Sequence, residues 1–278
     1  MGLRGRFIKA KKQKKKWTML TAYDAPTAEL LESTGIDLIL VGDSLGMVLL
    51  GYPSTTNVTM DEMIHHAKAV RRGAPRSLII GDLPLKGIEK GPRQALASAR
   101  RFIEEAHLDA VKLEWGKDAT RTTELFVKHR VPVMGHAGLT PQTVSKNNGF
   151  TVQGRDAASA LKVMAAAKAF EAKGAFSVLL ECVPSLVTQT ITSKLRVPTI
   201  GIGAGPHCDG QVLVFHDLVG IFKKFKPRFV KRYADLDGAM RRAVEFYQRD
   251  VLAGKFPDNK HSFSMKKEEF TAFLESLK

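Results

Sequence analysis

The sequence predicts an α/β protein built as a (β/α)₈ TIM barrel, a single domain with a basic N-terminal arm and a helical C-terminal extension. Seven or eight short apolar strands alternate with helical segments over about 220 residues, which fits a closed parallel barrel better than an open sheet. Three of these strands end in an acid. They are Leu38-Ile39-Leu40 running into Val41-Gly42-Asp43-Ser44-Leu45-Gly46, Ser77 to Asp82, and Val178-Leu179-Leu180-Glu181. No Gly-x-Gly-x-x-Gly follows the first strand, which argues against a dinucleotide-binding sheet. The expected boundaries are residues 1–16 for the arm, 17–263 for the barrel and 264–278 for the extension.

In order, Trp17 to Asp24 reads as the first strand. Asp24 is placed to cap a helix that begins at Pro26 and stops near Gly35. Asp37 to Asp43 is the second strand. Ser44 to Thr59, rich in Gly, Pro, Ser and Thr, is expected to be a long loop, and such loops inside a compact domain are usually functional. Thr59 and Glu62 make a capping-box pattern for a helix ending at Gly73. Ser77 to Asp82 is the third strand, Pro92 to Glu105 a helix, Asp109 to Glu114 the fourth strand and Thr120 to Lys128 a helix. Val131 to His136 is the fifth strand. A second long loop holds Asn147, Asn148, Gly149, Gln153, Gly154 and Arg155. Ala157 to Lys173 is an Ala-rich helix stopped by Gly174. Phe176 to Cys182, Val197 to Gly203 and Gln211 to Phe215 are the remaining strands, with a helix over Ser185 to Lys194. Gly238 to Leu252 and Lys266 to Leu277 read as helices.

Composition narrows the function classes. The chain has 278 residues, 44% hydrophobic and 26% charged, which is ordinary for a globular protein with a sizeable core. No apolar run approaches the roughly 20 residues of a membrane span, and no apolar segment follows the N-terminal charges as a secretory signal requires. Cys182 and Cys208 have neither metal-ligand spacing nor the look of a disulfide framework, so a reducing, cytoplasmic location is expected. Of the net charge of +15, eight positives fall within the first sixteen residues, with no acid among them. Such an arm is either a nucleic-acid or acidic-membrane contact or a solvated helical or frayed leader. The leader is the preferred reading, because a nucleic-acid protein would not explain acidic strand ends.

In a barrel the chemistry sits at the C-terminal ends of the strands. Those ends collect Asp24, Asp43, Ser44, Asp82, Lys112, Glu114, His136 and Glu181. Buried carboxylates are costly unless paired or bound to metal, and here several acids converge with few cations. Only oxygen ligands are evident, so Mg²⁺ fits better than Zn²⁺, with Asp43 and Asp82 as its ligands. Lys112 and Glu114 are two apart on a strand and share a face. They are either a core ion pair or, beside Asp43 and Asp82, a substrate-carboxylate contact and a water-mediated metal support. Glu181 ends an apolar strand and is the candidate general base; a structural acid is the alternative. His136 is a second-rank candidate, either a substrate contact or a satisfied rim histidine. Gly201-Ile202-Gly203-Ala204-Gly205 is either an anion cradle or a tight strand-to-helix turn.

Taken in register, the motifs become specific. Thr21-Ala22-Tyr23-Asp24, Val41-Gly42-Asp43-Ser44-Leu45-Gly46, Gly81-Asp82-Leu83-Pro84 and Val111-Lys112-Leu113-Glu114 occur in order. Gly135-His136-Ala137-Gly138-Leu139-Thr140-Pro141-Gln142, Leu180-Glu181-Cys182-Val183-Pro184, Gly201 to Gly205 and Asp209-Gly210-Gln211 follow. From about Lys11 to Phe263 the chain resembles the ketopantoate (3-methyl-2-oxobutanoate) hydroxymethyltransferase family. The resemblance implies a Mg²⁺-dependent barrel enzyme, assembled as a homo-oligomer that is decameric in bacterial members. It implies transfer of a one-carbon unit from 5,10-methylenetetrahydrofolate to 3-methyl-2-oxobutanoate, giving 2-dehydropantoate for pantothenate and coenzyme A. It also implies Asp43, Asp82 and Glu114 at the metal, Asp43, Ser44, Asp82 and Lys112 at the oxo acid, and Glu181 as base. Leu85-Lys86-Gly87 and Trp115 depart from the family pattern at the barrel rim, where they bear on folate affinity and loop shape. The main rival is a carbon–carbon lyase of the isocitrate lyase type, and neither cysteine sits in the mobile loop such enzymes use.

Overall fold

The computed structural model describes residues 2–142 and 151–278, so the expected loop positions Asn147, Asn148 and Gly149 lie outside the described residues. Eight parallel strands close into a barrel in sequence order, β1 to β8. They are β1 Trp17–Thr21, β2 Leu38–Val41, β3 Leu78–Asp82, β4 Ala110–Glu114, β5 Val133–Gly138, β6 Ser177–Glu181, β7 Thr199–Ile202 and β8 Gly210–Leu213. The helices are α1 Leu3–Lys12, α2 Ala25–Ser33, α3 Leu45–Val48, α4 Met60–Gly73, α5 Leu85–Ile88, α6 Pro92–Glu104, α7 Ala119–Lys128, α8 Ala157–Ala172, α9 Ser185–Lys194, α10 Phe215–Leu218, α11 Leu236–Leu252 and α12 Lys267–Glu275.

The period-2 alternation of each strand separates two cores. Ile39, Val41, Ile79, Val111, Leu113, Val133, Val178 and Leu180 face outward and pack on Met63, Phe102, Phe126, Phe170 and Ile191 of the helices. Met19, Leu38, Leu40, Ile80, Ala110, Met134, Leu179, Ile200 and Val212 fill the barrel. Two residues beyond several of these inward positions, on the same face, stand polar groups: Thr21, Asp82, Lys112, His136 and Glu181. The register aligns them, because Asp82 pairs with Lys112 and Glu114 with His136 on neighbouring strands. The apolar plug below therefore forms the floor under a charged layer at the C-terminal end.

Local signals behave as their chemistry requires. Asp24 caps α2 by accepting the Thr27 amide at 2.8 Å, and both halves of the Thr59/Glu62 capping box are present. Two expectations need correction. The stretch 44–59 is not plain loop: α3 and a 3₁₀ turn, Thr55–Asn57, interrupt it, and each is too short to show a helical period. The arm reading as a solvated helical or frayed leader is right about the helix, Leu3–Lys12, and about the exposure of most of its cations, but the helix is docked rather than free. Phe7 of α1 is 1% exposed, stacks on Trp17 at 4.3 Å and meets Phe176 edge-on at 4.9 Å. Several of the cations are also engaged. Arg4 donates to Ala175 and Glu171 carbonyls, Lys11 to those of Thr192 and Val197, Lys16 to that of Cys208, and Lys15 pairs with Asp37.

The chain divides into two compact units, Met1–Leu218 with Phe222–Lys231, and Val219–Ile221 with Arg232–Lys278. The expected barrel boundary at Phe263 thus falls inside the second unit. That unit carries α11 and α12, neither of which has a buried residue.

The docking of α1 makes a direct prediction. Phe7→Ala removes a fully buried ring from the bottom of the barrel and should lower unfolding free energy by about 3–5 kcal/mol. A chemical-denaturation midpoint equal to wild type would show that the helix contributes nothing to the fold.

Candidate active site

The acids converge. Asp43, Asp82, Lys112, Glu114, His136 and Glu181 line one cavity of about 290 Å³ at the C-terminal end of the barrel, with Ser44 and Thr21 beside them. Lys112 Nζ lies 2.7 Å from both Asp82 oxygens and 3.9 Å from Glu114 Oε1. The Asp43 amide donates to Asp82 Oδ2 at 3.3 Å, which ties the ends of β2 and β3 together. His136 stands between two acids, Nδ1 3.4 Å from Glu114 and Nε2 3.1 Å from Glu181. Contacts with both carboxylates hold the ring between them. Ser44 Oγ is 2.8 Å from the Tyr23 phenol, whose pKa burial drives upward, so that the phenol stays protonated.

Glu181 is set by backbone. Its carbonyl accepts the Leu139 amide at 2.9 Å, and the next residue, Cys182, donates to Ile202 O at 2.9 Å with φ at 49°. A Cβ at Gly138 would lie 2.3 Å from Glu181 O, so only glycine lets β5 lie this close to the base. Glu181 keeps 16% of its side chain exposed, whereas the side chain of Glu114 is 2% exposed. The more open acid is the one that can reach a substrate.

Electrostatics follow from burial. Desolvation raises Asp82 to about 7; the Lys112 ammonium opposes this, and Asp43 and Glu114 add to it. Burial works to lower Lys112, but Asp82, Glu114 and Asp43 outweigh it and raise its pKa. For His136, burial and the Lys112 charge both push down, yet Glu114 and Glu181 on either side hold it up at about 9. The imidazole is therefore a cation at neutral pH.

Gln142 carries a role that no local pattern announced. Its Nε2 donates to Asp43 Oδ2 at 2.8 Å and to the Leu83 carbonyl at 2.9 Å, and its own amide donates to Glu114 Oε2 at 3.2 Å. Both side-chain hydrogens meet acceptors, which fixes the amide's orientation and the rotation of Asp43. The Gln142 Oε1 is buried and has no hydrogen-bond partner among the described residues. Two other expectations come apart from the site. Asp24 is spent on its cap, and of Gly201 to Gly205 only Ile202 borders this cavity.

The donor set fits a hard divalent cation. At the strand ends Asp43, Asp82, Glu114 and Glu181 face Lys112 and His136, with Asp217 also on the cavity wall; the acids offer only oxygen, and an orphaned acceptor stands beside Asp43. Among the described residues no three acidic, imidazole or thiol side chains form a closed metal clasp. The arrangement therefore suits an ion held by Asp43 and Asp82 with open or water-filled positions. Glu114 is engaged with His136, Lys112 and the Gln142 amide.

Lys112→Met should lower the stability of the metal-free protein by about 3–5 kcal/mol, because it leaves buried acids without their counter-charge. An unchanged thermal midpoint without divalent cations would show that Lys112 does not balance them.

The chain is similar to known proteins both in fold and in sequence. Two solved structures share the barrel at low identity and show the fold alone. One is 2,3-dimethylmalate lyase, a PEP mutase/isocitrate lyase superfamily member, with TM-score 0.62, 16% identity, and coverage of 100% of this chain and 94% of that one. The other is phosphoenolpyruvate phosphomutase from Streptomyces platensis subsp. rosaceus, with TM-score 0.61, 14% identity and coverage of 99% and 98%. Among curated proteins, the 3-methyl-2-oxobutanoate hydroxymethyltransferase of Oleidesulfovibrio alaskensis is 51% identical over 97% of this chain and 93% of its own length. That of Moorella thermoacetica is 53% identical over 88% and 91%. The sequence profile of ketopantoate hydroxymethyltransferase matches residues 4–259, and the chain belongs to that enzyme family.

Proposed function

We propose that this chain transfers a hydroxymethyl group from 5,10-methylenetetrahydrofolate to 3-methyl-2-oxobutanoate, giving 2-dehydropantoate for pantothenate and coenzyme A synthesis, with Mg²⁺ as its metal. The observation that carries the reading is the division of acids within one cavity. Asp43 and Asp82 form a buried oxygen pair, and Glu181 stands apart at the more open edge, joined to them through Lys112, Gln142, Glu114 and His136.

Asp43 and Asp82 would hold the ion, with Glu114 behind them. Bound there, it would act as a Lewis acid on the keto group and make the neighbouring carbon more acidic. An ammonium has three donors, and Asp82 uses two, so Lys112 has one left for the substrate carboxylate. Ser44 Oγ, held by Tyr23, steadies the same end of the oxo acid. Glu181 takes the proton from C3. His136, with Nε2 3.1 Å from Glu181 Oε2, orients that carboxylate for the transfer. C3 then bonds to the folate methylene carbon, both C–N bonds of that methylene break in turn, and water supplies the hydroxyl. The two folate nitrogens gain one hydrogen from C3 and one from water, which closes the balance.

A homo-oligomer, a decamer by analogy with the family, is supported by the apolar side chains that α11 leaves exposed, among them Met240, Val244, Tyr247 and Val251. A cytoplasmic setting is supported by two unbridged cysteines. Among the described residues no helix is long and apolar enough to cross a membrane.

Glu181→Gln should slow Mg²⁺-dependent deuterium exchange at C3 of 3-methyl-2-oxobutanoate by about 10²–10⁴-fold, followed by proton NMR without folate. Exchange at the wild-type rate would remove Glu181 as base. Asp43→Ala and Asp82→Ala should each lose Mg²⁺-dependent binding of the oxo acid in calorimetry. Binding retained at low Mg²⁺ would remove the metal assignment.

A further inference from the structure

Gln142 is 5% exposed and takes no part in the reaction as written above. Its Nε2 spends both hydrogens, one on Asp43 Oδ2 at 2.8 Å and one on the Leu83 carbonyl at 2.9 Å. A carboxylate and a carbonyl both repel an amide oxygen, so these two partners settle which end of the amide is which. Oε1 is then left buried, with no hydrogen-bond partner among the described residues. A buried acceptor is costly unless a donor reaches it.

The bland reading is an anchor that ties the segment after β5 to the ends of β2 and β3. An anchor accounts for the two donated hydrogens and leaves Oε1 unexplained. The cationic donors of the cluster are already engaged: Lys112 gives two hydrogens to Asp82, and His136 lies between Glu114 and Glu181. The oxo acid cannot supply the missing donor, because a carboxylate and a ketone only accept. A planar amide holds its nitrogen and oxygen about 2.3 Å apart, which puts Oε1 within about 5 Å of Asp43 Oδ2. A water carried by a cation on Asp43 is a donor of the right kind in that place.

The same amide also makes the two oxygens of Asp43 unequal. Gln142 holds Oδ2, whereas Oδ1 accepts no hydrogen bond among the described residues and is the oxygen left for an ion. A carboxylate pinned at one oxygen ligates through the other alone. Single-point carboxylates and retained waters suit Mg²⁺, whereas Ca²⁺ takes more ligands, at longer distances, and accepts bidentate carboxylates. We infer that Gln142 is a positioning residue for the cation. It limits Asp43 to one ligating oxygen, accepts a hydrogen from a water on the ion, and so favours Mg²⁺ over Ca²⁺. This rests on the metal assignment proposed above.

The test uses the full-length protein, with and without 3-methyl-2-oxobutanoate and in the absence of folate. Bound Mn²⁺ is read from the EPR signal of the free ion, with Mg²⁺ and Ca²⁺ as competitors. Wild type should release Mn²⁺ to Mg²⁺ at lower concentration than to Ca²⁺. Gln142→Met keeps the length of the side chain and the backbone amide that meets Glu114, and removes Nε2 and Oε1. It should weaken Mg²⁺ about 10–100-fold and Ca²⁺ far less, so that the preference shrinks. Gln142→Glu keeps an oxygen but cannot donate twice, and it should shift the preference toward Ca²⁺ as well. The thermal midpoint of each metal-free variant reports folding, and Gln142→Glu carries the comparison should Gln142→Met not fold. Unchanged Mg²⁺ affinity, or equal losses for the two ions with only the midpoint lowered, would leave Gln142 an anchor and overturn the inference. A wild-type protein that binds none of the three ions, with or without the oxo acid, would overturn the metal assignment itself.

Discussion

The ammonium of Lys112, 2.7 Å from both oxygens of Asp82 and 3.9 Å from Glu114, is the contact on which the acid cluster depends. An unpaired carboxylate in a protein interior costs several kcal/mol, and this barrel places four near one another. Lys112 and the His136 cation offset part of that charge and leave an excess on the side of Asp43 and Asp82. The excess destabilises the site as it stands, and the proposed Mg²⁺ would offset it. The raised pKa of Asp82 has the same origin: burial, with Asp43 and Glu114 nearby.

The fold supplies this cluster at low geometric cost. Asp82, Lys112, His136 and Glu181 each stand two residues beyond an inward apolar one, so one alternation builds both the plug and much of the layer above it. Closure of eight strands then brings β2, β3, β4, β5 and β6 ends around one cavity. Gln142, from the segment after β5, ties three of those ends together through Asp43, Leu83 and Glu114. His136 both joins and separates the two functions. Its positive ring attracts Glu181 and Glu114 while keeping the two acids apart.

Much of this was legible in the chain. Apolar strands give their direction through the acids and glycines at their ends, and the spacing of Lys112 and Glu114 already put both on one face. Asp24 and Thr59 were visible as caps because capping is local chemistry. What lay hidden depended on contacts distant in sequence or on short elements. Phe7 is a lone ring in a basic run, and nothing nearby shows that it docks on Trp17 and Phe176. Gln142 is a neutral amide whose partner Asp43 is 99 residues away. The helices Leu45–Val48 and Leu85–Ile88 span about one turn each and cannot display a period.

The central claim is that a metal held by Asp43 and Asp82 activates an oxo acid whose C3 receives a one-carbon unit. The most direct measurement is 2-dehydropantoate formation by the wild-type protein, with Mg²⁺ and 5,10-methylenetetrahydrofolate each supplied and withheld. The account expects product only when both are present and none after chelation of the ion. Product at an undiminished rate without Mg²⁺, or no product with both, would contradict it.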